Sequence, residues 1–463
     1  NRDFFDDYAH HPTEIKAVIK SARQVYKNKK IICVFQPHRY SRIKSLKSEF
    51  ASSFTDSNAV VLCPVYSAGE KLTYNFSQEK FSKLISNKSK VQVINIQDQN
   101  QLKTKRFTLK EGWQTIYSNN VNSVIIRCEL DDGSVGWGEP NTPIAPEVVA
   151  LLINDVLSEV ISLREFGTIQ EVSEFIYKLQ SGRGYFSGYW QDMIAALDIA
   201  LWDAVGKRDK FRVFEALEFQ PQEKFPVYLS GLRQETLQKR QNKLTEMMDN
   251  GLSGVKIFLS GSTNDCLDEL KALQSVGKRI TDFMVDMLWS CDYEEARRLK
   301  ETLGTLNVKF LECPLQPEDL EDHQKLVREP GTKIALGEHF RNLDQIIPWL
   351  ENKAVDVLQP DIGRTGITGF IGIKSECDKY GIPVAIHMGN GLSVFQAATL
   401  SCAASYEQTY LQEFQEGLAN QFSNHDQGKW KYKEGNIIST DSYGIGVDDS
   451  SVTEMIEILS STR

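Results

Sequence analysis

Short apolar runs alternate with amphipathic stretches along most of this chain, and the alternation changes character twice. In the first hundred residues KIICVF (30–35) and AVVLCPVY (59–66) read as buried strands, while TEIKAVIKSARQVY (13–26) and RIKSLKSEFASSF (42–54) carry apolar residues at helical spacing. A polar stretch over 87–105, with one short strand inside it, predicts a linker. From 122 to 140 two strand-like runs flank an Asp131-Asp132-Gly133 turn and end at Gly136-Trp137-Gly138-Glu139, which predicts a hairpin. Helical patterns follow at 146–161, 168–179 and 189–207, the last so apolar that it predicts a packing element.

Beyond residue 226 the pattern becomes regular. The runs PVYLSG (226–231), GVKIFL (254–259), FMVD (283–286), VKFLE (308–312), KIALGE (333–338), AVDVLQPD (354–361), IPVAIH (382–387) and TYLQE (409–413) are separated by stretches rich in Glu, Lys, Leu and Ala. Six of them close on a titratable residue. Asp286, Glu312 and Glu338 are spaced by 26 residues, and Asp361, His387 and Glu413 repeat that interval. A strand, a helix and two loops occupy about that length, so the spacing predicts eight βα units closing into a parallel barrel. The predicted fold class is α/β: a TIM-type (β/α) barrel over 226–426 and an α+β capping domain over 99–225, completed by a hairpin-like tail within 427–463. A partial α/β domain over 1–98 precedes them.

Composition narrows the function. Apolar content of 41% and charged content of 25% are those of an ordinary globular protein. A net charge of −9 without a basic block argues against nucleic acid as a partner. No apolar run reaches the ~18 residues that a membrane span needs, and the first residues are too polar for a signal peptide, although the chain begins at Asn1. Eight cysteines without a CxxC pair predict reduced, mostly buried thiols and a cytoplasmic setting.

The C-terminal ends of barrel strands carry the chemistry of such folds. Asp286, Glu312 and Glu338 would meet there as three oxygen donors without His or Cys, a set suited to a hard hexacoordinate cation and best to Mg²⁺. His387 beside Asp361 predicts an imidazole oriented and made more basic by a carboxylate, the base needed to take a weakly acidic carbon-bound proton. Glu413 is a candidate hydrogen-bond donor to the resulting oxyanion if its pocket keeps it protonated, and Lys256 a candidate for the substrate carboxylate. For both, a structural carboxylate or a neutralising lysine reads the same. Side chains expected to select the substrate are Tyr228, Ser230, Trp289, Arg364 and Asn390.

Two resemblances add to this reading. DDYAHHPTEI (6–15), VFQPHRYSR (34–42) and VYSAGE (65–70) resemble the C-terminal domain of the UDP-N-acetylmuramate–L-alanine ligases. That resemblance implies Asp7, His10 and His11 near a nucleotide, and His38, Arg39 and Arg42 near an amino acid and a sugar-nucleotide. The chain has no GxxxxGK[ST] phosphate loop, so the block reads as a remnant rather than a working ligase or sugar-nucleotide-binding module.

The rest is similar to the enolase superfamily and its mandelate-racemase subgroup. GWGE, ALWD (200–203), VKI, VD, the Glu of LECP, GEH, QPDIGRTGI and IHMGNG carry the likeness, in that order. It implies a Mg²⁺-dependent enzyme with Asp286, Glu312 and Glu338 as ligands, His387 with Asp361 as base, Glu413 as stabiliser of an enediolate, and a homo-oligomer. Three departures stand out. Phe258 replaces the second lysine of the family's Lys-x-Lys, which disfavours racemisation by a Lys–His pair. Cys313 replaces the second Glu of Glu-Glu-Pro. The cap loop 111–120 looks short. The expected activity is dehydration of an acid sugar, an aldonate-type carboxylate; racemisation, epimerisation or cycloisomerisation are the alternatives on the same scaffold.

Overall fold

The computed structural model describes residues 7, 9–70, 76–95, 107–109, 116–119, 122–232, 234–258, 263–415, 430–439 and 441–461. Most of the loop 111–120 and the start of the tail lie outside these residues. The chain forms two compact units, 1–108 and 109–463.

In the first unit a three-stranded parallel sheet, β1 (Ile32–Phe35), β2 (Ala59–Leu62) and β3 (Gln92–Asn95), is joined by helices α1 (Pro12–Val25), α2 (Tyr40–Ala51) and α3 (Gln78–Ser89). The expected linker is thus partly structural, because Val91 and Val93 pack on the core and β3 pairs with β2 in register. Phe35, Phe50, Phe54 and Phe81 fill that core, each ring contributing about 2–3 kcal/mol of transfer free energy.

The second unit carries a short strand at Ile116–Ser118, inside the expected loop 111–120, and then the predicted hairpin, β4 (Ile126–Glu129) and β5 (Val135–Gly138), and helix α4 (Ile169–Ser181). Residues 146–161 are not one α-helix: Leu152–Leu157 form a π-helical turn between two short α-segments. Helix α5 (Tyr189–Asp209) is buried over most of its length. It lies so close to β5 that a Cβ on Gly136 or Gly138 would overlap the carbonyl oxygens of Ala200 and Ala196. Glycine at both positions is therefore a packing requirement.

The barrel strands are β6 (Lys224–Ser230), β7 (Gly254–Phe258), β8 (Asp282–Asp286), β9 (Val308–Glu312), β10 (Lys333–Leu336), β11 (Val357–Leu358) and β12 (Gln412–Phe414); β6 to β11 pair parallel in that order, and β12 pairs parallel with β6. The seventh stave, expected at 382–387, is not a regular strand. It meets the sixth only through bridges at Leu358–Val384 and Asp361–His387, and Pro383 has no N–H to offer a ladder. Toward β12 side chains replace backbone pairing: Gln412 Nε2 donates to Ile386 O (2.9 Å) and Gln415 Nε2 to Met388 O (2.9 Å).

Alternation along the strands fills the barrel with Tyr228, Met284, Phe310, Ala335, Val357 and Ala385. The next inward position on most staves is a rim residue. The tail forms an antiparallel hairpin, β13 (Lys431–Lys433) and β14 (Asn436–Ile438), but β14 extends β6 at Lys224–Pro226; only beyond it do Gly444 and Ile445 return to the cap, at Val213 and Asp203. The other segments used below are helices α6 (Ile362–Tyr380) and α7 (Ser393–Ala404).

Candidate active site

Period-two alternation brings Lys256, Asp286, Glu312 and Glu413 to one end of the barrel, each buried to 4% exposure or less. Lys256 Nζ lies 2.7 Å from Glu312 and 2.8 Å from Glu413, above the Tyr228 ring. Burial works against its charge, but the two carboxylates outweigh it and hold the ammonium well above its ordinary pKa. Burial raises Asp286 far above the usual carboxylate range, and the neighbouring charge of Glu312 adds to the rise. Two adjacent buried carboxylates sharing one ammonium favour a further cation.

Asp286, Glu312 and the Cys313 thiol each place a donor atom within 4.8 Å of the others. The third expected ligand is placed differently. Glu338 lies two residues beyond β10, after Gly337, and its carboxylate contacts His387 Nε2 at 2.9 Å. Burial opposes ionisation of Glu338, but the His387 imidazole dominates and lowers its pKa. Asp286 and Glu312 thus stand together, while Glu338 is turned to His387. Their hard donor set fits Mg²⁺, and Asp286, Glu312 and Glu338 are the residues that would hold it.

Asp361 and His387 meet as the spacing predicts, with Nδ1 2.7 Å from Asp361 Oδ2. Desolvation lowers the basicity of His387, but Glu338, Glu413 and Asp361 together raise it well above its ordinary value. Glu413 differs from its expected role as a neutral donor. Its carboxylate accepts from Met388 N (2.9 Å), and against burial Lys256 and His387 draw its pKa down. Its Oε1 lies 2.8 Å from Lys256 Nζ.

Of the expected selectivity residues, Ser230 is buried, Trp289 stands edge-on to His339 at 5.0 Å, and Asn390 is exposed. Arg364 is near enough for its charge to act on Glu338, His339 and Asp192. Burial drives the His339 pKa down to about 4, and among the described residues neither of its buried ring nitrogens has a partner.

The two halves of this unit match two family models: the mandelate racemase / muconate lactonizing enzyme N-terminal domain over 102–217 and the enolase C-terminal domain-like family over 239–450. The chain belongs to the enolase superfamily. A solved enolase-superfamily member from Agrobacterium tumefaciens is 28% identical, with a TM-score of 0.71 over 76% of this chain and 91% of its own. The same fold is seen in the 3,6-anhydro-D-galactonate cycloisomerase of Zobellia galactanivorans (21% identity, TM-score 0.66, 76% of this chain and 97% of its own). It recurs in a racemase with bound magnesium from Streptomyces coelicolor A3(2) (20%, 0.64, 72% and 91%). Residues 1–112 match the Mur ligase, glutamate ligase domain. There the chain is 52% identical over 100 residues to the UDP-N-acetylmuramate–L-alanine ligase of Pelagibacter ubique (strain HTCC1062), and it spans only 22% of that ligase's length.

As an enolase-superfamily site, this one includes groups that spacing alone did not single out. Gln359 Nε2 donates to Glu312 Oε2 at 2.7 Å, and Asn141 Nδ2 to Asp361 Oδ2 at 2.6 Å. Gln359 sits two residues before Asp361, so alternation was a usable signal. Asn141 lies 220 residues away on the cap, and no local pattern marks it.

Proposed function

We propose that the second unit is a Mg²⁺-dependent enzyme that removes the proton α to a carboxylate, and that its reaction is dehydration of an acid sugar. The observation that carries this reading is His387, held at Nδ1 by Asp361 with Nε2 facing the carboxylate cluster. Bound Mg²⁺ would supply charge to offset the negative charge that develops on the substrate carboxylate. Lys256, fixed between Glu312 and Glu413, adds a buried positive charge beside it. His387 Nε2 takes the α-proton, and the imidazolium returns it to the departing β-hydroxyl on the same face, so one base serves both steps. Phe258 occupies the position of a second base and cannot accept a proton, which supports elimination over racemisation. Arg364, whose charge reaches Glu338, suits a polyhydroxylated small-molecule carboxylate. The thiols of all eight cysteines are free. The ligase-like unit carries no phosphate loop of its own and adds no reaction to this reading.

The test is incubation with a panel of aldonates and aldarates in D₂O with Mg²⁺. Release of a 2-keto acid is expected, abolished in His387→Asn. Deuterium at the α-carbon with the hydroxyl retained would favour racemase or epimerase chemistry, and no exchange with any acid would refute α-proton abstraction.

A further inference from the structure

Asp361 Oδ2 receives two donors, the His387 imidazole at 2.7 Å and the Asn141 side-chain amide at 2.6 Å. Its other oxygen is buried with no partner among the described residues. Asp361 is fully buried and Asn141 is 8% exposed, so water does not compete for either contact. Asn141 belongs to the cap, three residues beyond β5, whereas Asp361 and His387 are barrel residues.

The surroundings are shaped to admit this amide. The Asn141 N–H donates to Gly363 O at 2.9 Å. A Cβ on Gly363 would overlap that same nitrogen, and a Cβ on Gly389 would lie 2.7 Å from Asn141 Nδ2 and 3.3 Å from His387 Cε1. Next to it, Glu139 accepts from Leu392 N (2.8 Å) and Phe395 N (2.9 Å), at the start of the helix that follows the His387 loop. The cap segment is therefore tied on both sides of the dyad.

We propose that Asn141 is a positioning residue for the base. Two donors converging on one oxygen fix the plane of the Asp361 carboxylate, which in turn fixes the tilt of the imidazole and directs Nε2 toward the substrate. With the amide removed the carboxylate is free to turn toward its bare oxygen, and the ring turns with it. The cap thereby completes the base as well as covering the pocket. The effect on turnover rests on the proposed α-proton chemistry; the effect on the imidazole does not.

The test compares Asn141→Ala and Asn141→Asp in the full-length chain with Mg²⁺ present. The first readout needs no substrate. In protein labelled with ¹⁵N-histidine, the His387 Nδ1–H resonance is identified among seven histidines by its loss in His387→Asn. It should shift or exchange-broaden in both variants while the other six stay in place. The second readout is kcat for whichever acid the wild type dehydrates. Asn141→Ala should lose about tenfold to a hundredfold in kcat with KM nearly unchanged. Asn141→Asp should be worse than Asn141→Ala, because a near-isosteric side chain then sets a second carboxylate against Asp361. A merely structural role predicts the opposite order. An unmoved His387 resonance in both folded variants, or higher activity in Asn141→Asp than in Asn141→Ala, overturns the proposal. If the wild type turns over no acid, the function reading fails while the resonance still decides the role of Asn141.

Discussion

Replacing Asp198 by alanine should destabilise the second unit more than most single changes could. Helix α6 is broken at Gly366, where φ is +69°, and its long segment restarts at Ile367. The orphan N–H groups of that restart are capped from the neighbouring helix: Asp198 Oδ2 accepts from Ile367 N at 2.7 Å and Thr368 N at 2.9 Å, and Oδ1 from Ser173 Oγ at 2.9 Å. A Cβ on Gly366 would lie 2.7 Å from the same Oδ2. Alanine strands two backbone donors, each costing about 1–3 kcal/mol when left unpaired in a buried site. Part is recovered, because burial already raises the Asp198 pKa and its removal relieves that penalty. A net loss of about 2–4 kcal/mol remains, or about 3–5 °C in Tm for a unit of this size. All seven tryptophans lie beyond residue 108, so tryptophan fluorescence during urea or thermal unfolding reports on this unit alone. Asp198→Asn, which keeps one acceptor oxygen, should fall between wild type and alanine. An alanine variant within about 0.5 kcal/mol of wild type would refute the capping account.

Other expectations follow from the same geometry. Burial raises the Glu139 pKa to about 7, against Ser123 and two backbone donors that favour the charge. Because the folded value lies above the unfolded one, its contribution is intact below about pH 4.5 and lost as pH rises through about 7, by on the order of 3 kcal/mol. Wild-type Tm should thus fall more between about pH 5 and 8 than that of Glu139→Gln, and parallel profiles would contradict this. Gly138→Ala should cost about 1–3 kcal/mol or prevent folding, since helix α5 must move away; unchanged urea unfolding would be inconsistent with that packing. Lys256→Met leaves Glu312 and Glu413 without their counter-charge and should cost about 3–5 kcal/mol, read by the same unfolding assay. Mg²⁺ at about a hundred times its Kd should add about 2.7 kcal/mol to stability, and Asp286→Asn or Glu312→Gln should remove that gain.

The barrel and much of its rim were legible because strand, helix and loop lengths impose a period, and a period survives without any alignment. Asp286, Glu312, Asp361, His387 and Glu413 are positioned by alternation on successive staves, which is local information. Glu338 was legible as a rim residue, but its partner was not, since only the folded chain shows its carboxylate turning to His387. Asn141 and Asp198 were out of reach for the opposite reason: each acts on backbone or side chains far along the sequence. IPVAIH reads as a strand by hydrophobicity, yet Pro383 and the glutamines of the next stave give it another kind of edge. In the first unit the short β3 is legible as a strand inside the polar stretch 87–105, but its pairing with β2, which makes it part of the sheet, is not marked by any local pattern.

That glutamine-pinned edge has a consequence for motion. Backbone ladders break cooperatively, whereas two amide side chains can let go one at a time, so the stave bearing the imidazole is held less cooperatively on its β12 side than on the side where Leu358 and Pro360 bond to its backbone. Trimming Gln412 or Gln415 would leave every reacting group intact and still blur where the ring sits. Loss of catalytic rate without loss of metal affinity would be the signature of such slack, and amide exchange along residues 384–388 would reveal it.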